Sequence, residues 1–340
     1  MILLGSTSFV VAFLISAIIT RRTISSGKLH DHPNERSLHY TPVPRGGGVA
    51  ILIAASICLL ATAILGKVPQ FLLVPWICCG FVAGLLGWID DHRNVSSSVR
   101  LILQLVIASV FSVSLVNSPG IELSWFVHSH RLLVVAAATV AIAWVINLYN
   151  FMDGADGYVA GDAVLVATAG ALIAGAYSVP QTTLLALPVA GAAAGFLVWN
   201  WQPARIFMGD VGSYFLGFQF AALITFDLLR GNGPWMWLIL LAPFVVDSTL
   251  TVSWRMWRQE QWWTAHRTHV YQLLILNGKS HAVVSVTLCL TTLCVLVPLA
   301  SLVVAQPSSA PIVTASVYAL TAIMWLVLRR KITRQNTPTT

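Results

Sequence analysis

A chain of 340 residues that is 57% hydrophobic and only 9% charged, with a mean hydropathy of +0.80, excludes a soluble globular domain, where about a quarter of residues carry charge. The net charge of +7 belongs with membrane topology and anionic headgroups and calls for no nucleic-acid partner. The cysteines Cys58, Cys78, Cys79, Cys289 and Cys294 all fall in apolar runs without metal-type spacing and read as small hydrophobes.

Eleven apolar runs lie near 2–20, 46–65, 71–89, 99–117, 131–148, 159–178, 181–199, 211–230, 235–254, 282–304 and 310–328. Each is long enough to cross a ~30 Å hydrocarbon core as a helix, and the short alternating strands of a membrane barrel are missing from the pattern. The expectation is an all-α integral membrane protein of about eleven transmembrane helices, a single polytopic domain over 1–340. The first run has no positive charge before it and is followed by Arg21-Arg22, so it reads as a retained helix with its amino terminus outside rather than a cleaved leader.

With that orientation, the loops after odd-numbered helices and the carboxyl tail face the cytoplasm. They hold sixteen basic residues: Arg21, Arg22, Lys28, Arg36, Arg45, Arg93, Arg100, Arg205, Arg255, Arg258, Arg267, Lys279, Arg329, Arg330, Lys331 and Arg334. The other side holds Lys67, Arg131 and Arg230, a strong positive-inside asymmetry. The non-membrane sequence is concentrated in 21–45, 90–98, 149–158, 200–210 and 255–281, all on the basic side. A cleft on the cytoplasmic face follows.

In chain order, the first loop carries Arg36 and Arg45 beside the glycines 46–48. Both arginines could grip phosphate as charged forks, although a juxtamembrane basic loop would look the same. Next, Asp90-Asp91 close the third span. Adjacent carboxylates repel, and two acids at a helix C-terminus oppose its dipole, so metal contact or proton handling explains them better than solvation. Asn147, Asn150, Asp153 and Asp156 recur every third residue, drifting only about 60° per step on a helix. Gly154 and Gly157 then permit a break and a close backbone approach.

Asp210 stands at the start of the eighth span, where a carboxylate could merely cap amides, but Phe207 beside it offers a ring to stack on a base. His266-Arg267-Thr268-His269 could bind phosphate or a sugar hydroxyl, and a zinc site lacks a suitably spaced third ligand. The preceding Trp254, Trp257, Trp262 and Trp263 read as an interfacial belt. Asp162 and Asp247 are supporting acids. Carboxylates beside arginines and a stackable ring suit a nucleotide diphosphate bridged by Mg²⁺, and the multi-span scaffold implies a lipid co-substrate.

Three motifs carry a family resemblance: Asp90-Asp91, Asn147-x-x-Asn150-Phe-Met-Asp153-Gly-x-Asp156-Gly157, and Pro203-Ala-x-Ile-Phe-Met-Gly-Asp210-x-Gly-Ser213. The chain resembles the polyprenyl-phosphate N-acetylhexosamine-1-phosphate transferases, the MraY/WecA-like glycosyltransferase family 4. The segments Asp31-His-Pro-Asn-x-Arg36-Ser-Leu-His39, Pro44-Arg45-Gly-Gly-Gly48 and His266-Arg-x-His269-x-Tyr-Gln272 are most similar to the WbpL-type, O-antigen-initiating branch. The resemblance implies transfer of a sugar 1-phosphate from a UDP-N-acetylhexosamine to undecaprenyl phosphate, with release of UMP, at the bacterial inner membrane.

The resemblance also implies roles. Asp210 and Asn150 would hold Mg²⁺, with Mn²⁺ able to substitute. Phe207 would stack on uracil, and Asn200 and Asp156 would help bind the nucleoside. Asp90 or Asp91 would position or deprotonate the lipid phosphate. Asp153 and His266 join the catalytic set, and Arg36, Arg45, Asn147, Arg267 and His269 the substrate-binding set. MraY-type members have a lysine where Asn94 stands and a triple histidine where this chain has His-Arg-x-His. The expected sugar is therefore N-acetylglucosamine or a 6-deoxy N-acetylhexosamine such as FucNAc or QuiNAc, and not the peptidoglycan precursor. The apolar helix faces permit a homodimer.

The rival reading is a secondary transporter, which would place ionisable groups near the midplane on broken helices of repeated halves. Here the acids lie at helix ends on one side and no repeat is visible. A non-catalytic scaffold would leave the acid clusters unexplained.

Overall fold

The structure of the protein, a computed structural model, describes residues 2–26, 30–31, 42–119, 125–177, 179–231, 234–264 and 266–335. In chain order, α1 (Ile2–Ser26) is followed by a small antiparallel ladder of β1 (His30–Asp31) with β2 (Val43–Pro44). Then come α2 (Gly48–Ile64), α3 (Gln70–Arg93), α4 (Ser97–Val116), the short α5 (Trp125–Ser129), α6 (Arg131–Met152), α7 (Tyr158–Ala176), α8 (Pro180–Asn200) and α9 (Asp210–Leu229). The last elements are α10 (Trp235–Leu240), α11 (Ala242–Trp257), α12 (Val270–Leu276), α13 (His281–Thr291), α14 (Val297–Ala305) and α15 (Ala310–Gln335). A π turn over Thr292–Leu296 joins α13 and α14 into one helix, His281–Ala305.

Nine helices among the described residues are long and apolar enough to cross a membrane. Two of the eleven expected spans take another form. The second is the 17-residue α2, about 25 Å long at ~1.5 Å per residue, because the glycine run delays its start to Gly48. The ninth is broken at Leu241 into α10 and α11, with Pro243 in the first turn of the latter, where its missing N–H removes no helical bond. The all-α, multi-span class stands.

α9 forms the centre of the bundle: 89% of its apolar window is buried in the protein, against 17% for the last span. Glycines let neighbouring backbones touch. A Cβ on Gly191 or Gly195 of α8 would stand 2.2 or 2.3 Å from the Phe9 or Phe13 carbonyl of α1, the small-residue contact typical of helices in lipid, where packing replaces hydrophobic attraction. The same device aligns the site. A Cβ on Gly87 of α3 would lie 2.2 Å from the Asp210 carbonyl oxygen, and one on Gly48 would lie 2.3 Å from the Gly212 nitrogen. The end of α3 and the starts of α2 and α9 therefore meet backbone to backbone.

Candidate active site

A cavity of about 470 Å³ opens at the end of the bundle where α3, α6 and α8 finish and α9, α12 and α13 begin. Its wall includes Arg45, Asn150, Asp153, Asp156, Asn200, Phe207, Asp210, His266 and His269. Nine residues expected from the sequence are thus brought together from loops more than two hundred positions apart.

The α6 helix ends at Met152, so Asp153 and Asp156 sit on the loop into α7. Gly157 closes that loop at φ +69°, and a Cβ there would press to 2.8 Å of the Trp201 ring; both the left-handed backbone and the close approach favour glycine. Of the four polar residues at three-residue spacing, only Asn147 and Asn150 remain helical. The drift between them matters: Asn150 donates to Asp210 Oδ1 at 2.9 Å and to Ser213 Oγ at 3.2 Å. Asn147 instead turns to α4, donating to Gln104 and to the Ala143 carbonyl, away from the cavity wall.

Asp210 is the first residue of α9, but it is Asp91 that caps the helix, accepting from the Asp210 and Val211 N–H groups at 3.0 and 3.4 Å. Gly209, at φ +74°, makes room; a Cβ there would lie 2.7 Å from Asp91 Oδ2. Arg45 is brought over both acids by a backbone staple. Phe207 N–H donates to the Pro44 carbonyl at 2.8 Å, and Gly47 and Gly48 N–H donate to the Phe207 and Met208 carbonyls at 2.9 Å each. The Arg45 guanidinium then stands 2.5 Å from Asp91 and 3.5 Å from Asp210. Burial disfavours its charge, but Asp91, Asp210, Asp31 and Asp153 more than offset this and raise its pKa. Asp153 is pushed up to about 7, chiefly by burial, with Arg45 opposing and Asp91 adding to the rise.

Asp90 and Asp91 both lie behind the cavity wall. Asp90 is buried and accepts from Arg100 at 2.7 Å, Tyr214 Oη at 2.9 Å and the Val95 N–H at 2.9 Å. Asp156 accepts from the Ala204 N–H at 3.1 Å and lies 3.2 Å from His281 Nδ1. Asn200 accepts from the Gly157 N–H at 3.0 Å and donates to the Ile206 carbonyl at 2.9 Å, tying the two loops of the cleft together.

His266 and His269 enter from the loop before α12, their rings 4.9 Å apart. Burial, followed by His269, Arg255 and Arg329, lowers the His266 pKa to about 3, Asp247 pulling the other way. Arg267 is exposed and off the cavity wall; Arg36 lies outside the described residues. Asp247 is no cavity group, yet it accepts from the Val270 and Tyr271 N–H groups at 3.0 and 3.3 Å and so fixes the start of α12. Asp162 lies in the core, bonded by Tyr149 at 3.2 Å. Arg100 and His281, which also line the cavity, stand in no motif. A charged residue ten positions after Asp90, across one turn, was the sole hint to Arg100.

The donors suit a hard divalent cation. Asp210, Asp153 and Asn150, all oxygen-bearing side chains, line the cavity, while no group of three or more His, Cys, Asp or Glu among the described residues could enclose a metal. One or two carboxylates, with waters and substrate phosphates completing the shell, is what Mg²⁺ takes.

The fold and the site define a multi-span helical membrane protein with a polar cleft at one end, built from acids, an arginine and an aromatic ring. The family model described as glycosyl transferase family 4 matches residues 73–226, which include the Asp90, Asn150 and Asp210 segments. The chain is 28% identical over 287 residues to a probable undecaprenyl-phosphate N-acetylglucosaminyl 1-phosphate transferase of Bacillus subtilis, covering 81% of this chain and 77% of that protein. It is 31% identical over 276 residues to a phospho-N-acetylmuramoyl-pentapeptide-transferase of Oceanobacillus iheyensis, covering 72% and 80%. To a decaprenyl-phosphate N-acetylglucosaminephosphotransferase of Mycolicibacterium smegmatis it is 30% identical over 243 residues, covering 66% and 59%. The chain belongs to glycosyl transferase family 4, in its MraY/WecA-like group.

Proposed function

We propose that the protein transfers an N-acetylhexosamine 1-phosphate from a UDP-sugar to undecaprenyl phosphate in a Mg²⁺-dependent reaction, and thereby starts a cell-surface polysaccharide of the O-antigen type. The observation that carries the reading is Arg45 held between Asp91 and Asp210 at the cavity wall that also includes Asn150, Asp153 and Phe207. The relatives named for this chemistry support it. The excess of basic residues on the cavity side supports a cytoplasmic cleft in a bacterial inner membrane.

In this reading an oxygen of the lipid phosphate attacks the β-phosphorus of the UDP-sugar. The bond to the bridging oxygen breaks, and UMP leaves with that oxygen. The second pKa of a phosphate monoester is about 6, so the nucleophile is already largely dianionic and no strong base is needed. Asp210 and Asn150, with Asp153 beside them, would hold Mg²⁺, whose chemistry is to neutralise the diphosphate. Phe207 stacks on the uracil, and Arg45 draws the phosphates towards the acids, so that catalysis is positioning and charge compensation. Asp90 and Asp91 are positioning groups: Asp91 orients Arg45 and the start of α9, and Asp90 holds Arg100 and Tyr214. His-Arg-x-His and Asn94 favour N-acetylglucosamine or a 6-deoxy N-acetylhexosamine over the peptidoglycan precursor.

The test is UMP release by purified protein with Mg²⁺, undecaprenyl phosphate and a panel of UDP-sugars, one of which is expected to turn over. Silence across the panel overturns the reaction. Asp210→Asn is expected to abolish release while keeping the wild-type melting curve; full activity in that variant removes the metal assignment.

A further inference from the structure

The loop between α11 and α12 contains no helix or strand among its described residues, yet it supplies Trp263, Thr264, His266 and His269 to the cavity. Such a loop needs a rigid partner if its side chains are to stand in one place. The partner comes from the far end of the chain. Arg329 of α15 donates from Nη1 to the Thr268 carbonyl at 2.9 Å. Its guanidinium lies 5.3 Å from the centroid of Trp254 on α11 and 5.1 Å from that of Trp325 on its own helix, the stacking that a planar guanidinium suits. Trp325 Nε1 in turn donates to Asp247 at 3.0 Å, the same carboxylate that receives the N–H groups of Val270 and Tyr271. The turn that carries His269 is thus held on one side by Arg329 directly and on the other through Trp325 and Asp247.

A basic residue at the end of the last span needs no explanation beyond topology. Arg330, however, is exposed and serves that purpose, whereas Arg329 is turned inward onto the loop. We infer that Arg329 is a positioning residue, setting the place of His266 and His269 in the cavity from the carboxy-terminal helix. The inference rests on the proposed reading that this loop contacts the UDP-sugar.

The experiment uses the full chain in detergent, with Arg329→Met, the milder Arg329→Gln, which keeps an N–H donor, and Arg330→Met as control. Steady-state UMP release and hydrogen–deuterium exchange are measured on each. Arg329→Met is expected to raise KM for the UDP-sugar about tenfold, ~1.4 kcal/mol, with a smaller change in kcat, the pattern of lost binding rather than lost chemistry. It should also speed exchange in residues 262–272 and leave the helices of the bundle at wild-type rates. Arg329→Gln should fall between, and Arg330→Met should match wild type. Wild-type KM and wild-type loop exchange in Arg329→Met overturn the inference, as does faster exchange spread over the whole bundle. If the wild-type protein releases no UMP from any UDP-sugar, the reading of the site fails on that result alone, and the exchange data still decide whether Arg329 holds the loop.

Discussion

Arg45 and Asp91 meet at 2.5 Å, and the same guanidinium reaches Asp210 at 3.5 Å. One cation from the segment before α2 therefore joins a carboxylate at the end of α3 to one at the start of α9. Two acids that would repel each other are held side by side.

Removing that cation leaves two neighbouring acids without compensation. Breaking a buried pair costs ~3–5 kcal/mol; with Arg45 one-third exposed (33%), about 2–3 kcal/mol is the better scale. Arg45→Ala should therefore lower the melting temperature. The proposed reading also gives this cation a charged contact to the diphosphate, worth ~1.5–3 kcal/mol, so the variant should lower kcat/KM for the UDP-sugar about 10- to 100-fold. Arg45→Lys should recover part of the loss, because both contacts run from the single Nη2 nitrogen and an ammonium keeps that charge, although a shorter reach and stronger hydration weaken it. Kinetics of UMP release with melting temperatures alongside decide this, and near-wild-type kcat/KM in Arg45→Ala would contradict it.

Asp153 titrates near pH 7 when folded and has an ordinary value of 3.8 otherwise. Between these values the folded protein keeps a proton that the unfolded chain has released. Its contribution to stability is full below about pH 4 and is lost as pH rises through 7. Asp153→Asn should therefore raise the melting temperature most at about pH 8, with the gain shrinking to nothing towards pH 4, while activity falls. A gain independent of pH would show that burial of the carboxylate is not the cause.

His266 has the opposite sign. Its folded pKa of about 3, against 6.5, means that the unfolded chain binds the extra proton. The stability it contributes is present above about pH 6.5 and declines as pH falls towards 3. His266→Gln should thus lose less melting temperature than wild type on going from pH 7 to pH 5. Equal losses in the two proteins would argue for an imidazole that charges normally in the fold.

Gly87 meets the Asp210 carbonyl oxygen, a backbone atom that cannot rotate aside. Gly87→Ala should push the start of α9 off Asp91, at the ~1–3 kcal/mol typical of overpacking, and reduce UMP release at least tenfold. Gly161→Ala is the control: its Cβ would meet Cys289 Sγ at an ordinary 3.5 Å, so activity should be unchanged and stability equal or higher. Loss of activity in both would point to a general intolerance of the bundle.

Much of the site could be read from local spacing. Asn150, Asp153 and Asp210 stand at span ends in short polar runs, and all reach one cavity. Asn147 shows the limit of that reading. Three residues from Asn150, it has rotated far enough to belong to the contact with Gln104 on α4. His281 and Arg329 were illegible because nothing beside them in the chain marks them; their partners, Asp156 and Thr268, lie 125 and 61 positions away.

The sequence by itself determined that this is a multi-span helical membrane protein with its polar chemistry gathered at one end. Hydropathy is summed over a single segment, and charge asymmetry over the loops between segments, so neither needs to know what touches what. Only the tertiary structure decided what the paired aspartates do: Asp90 turns to Arg100 and Tyr214, and Asp91, one residue on, to Arg45 and the amides of α9. Adjacent side chains on a helix point about 100° apart, and which partner fills each direction is set by the helix packed there.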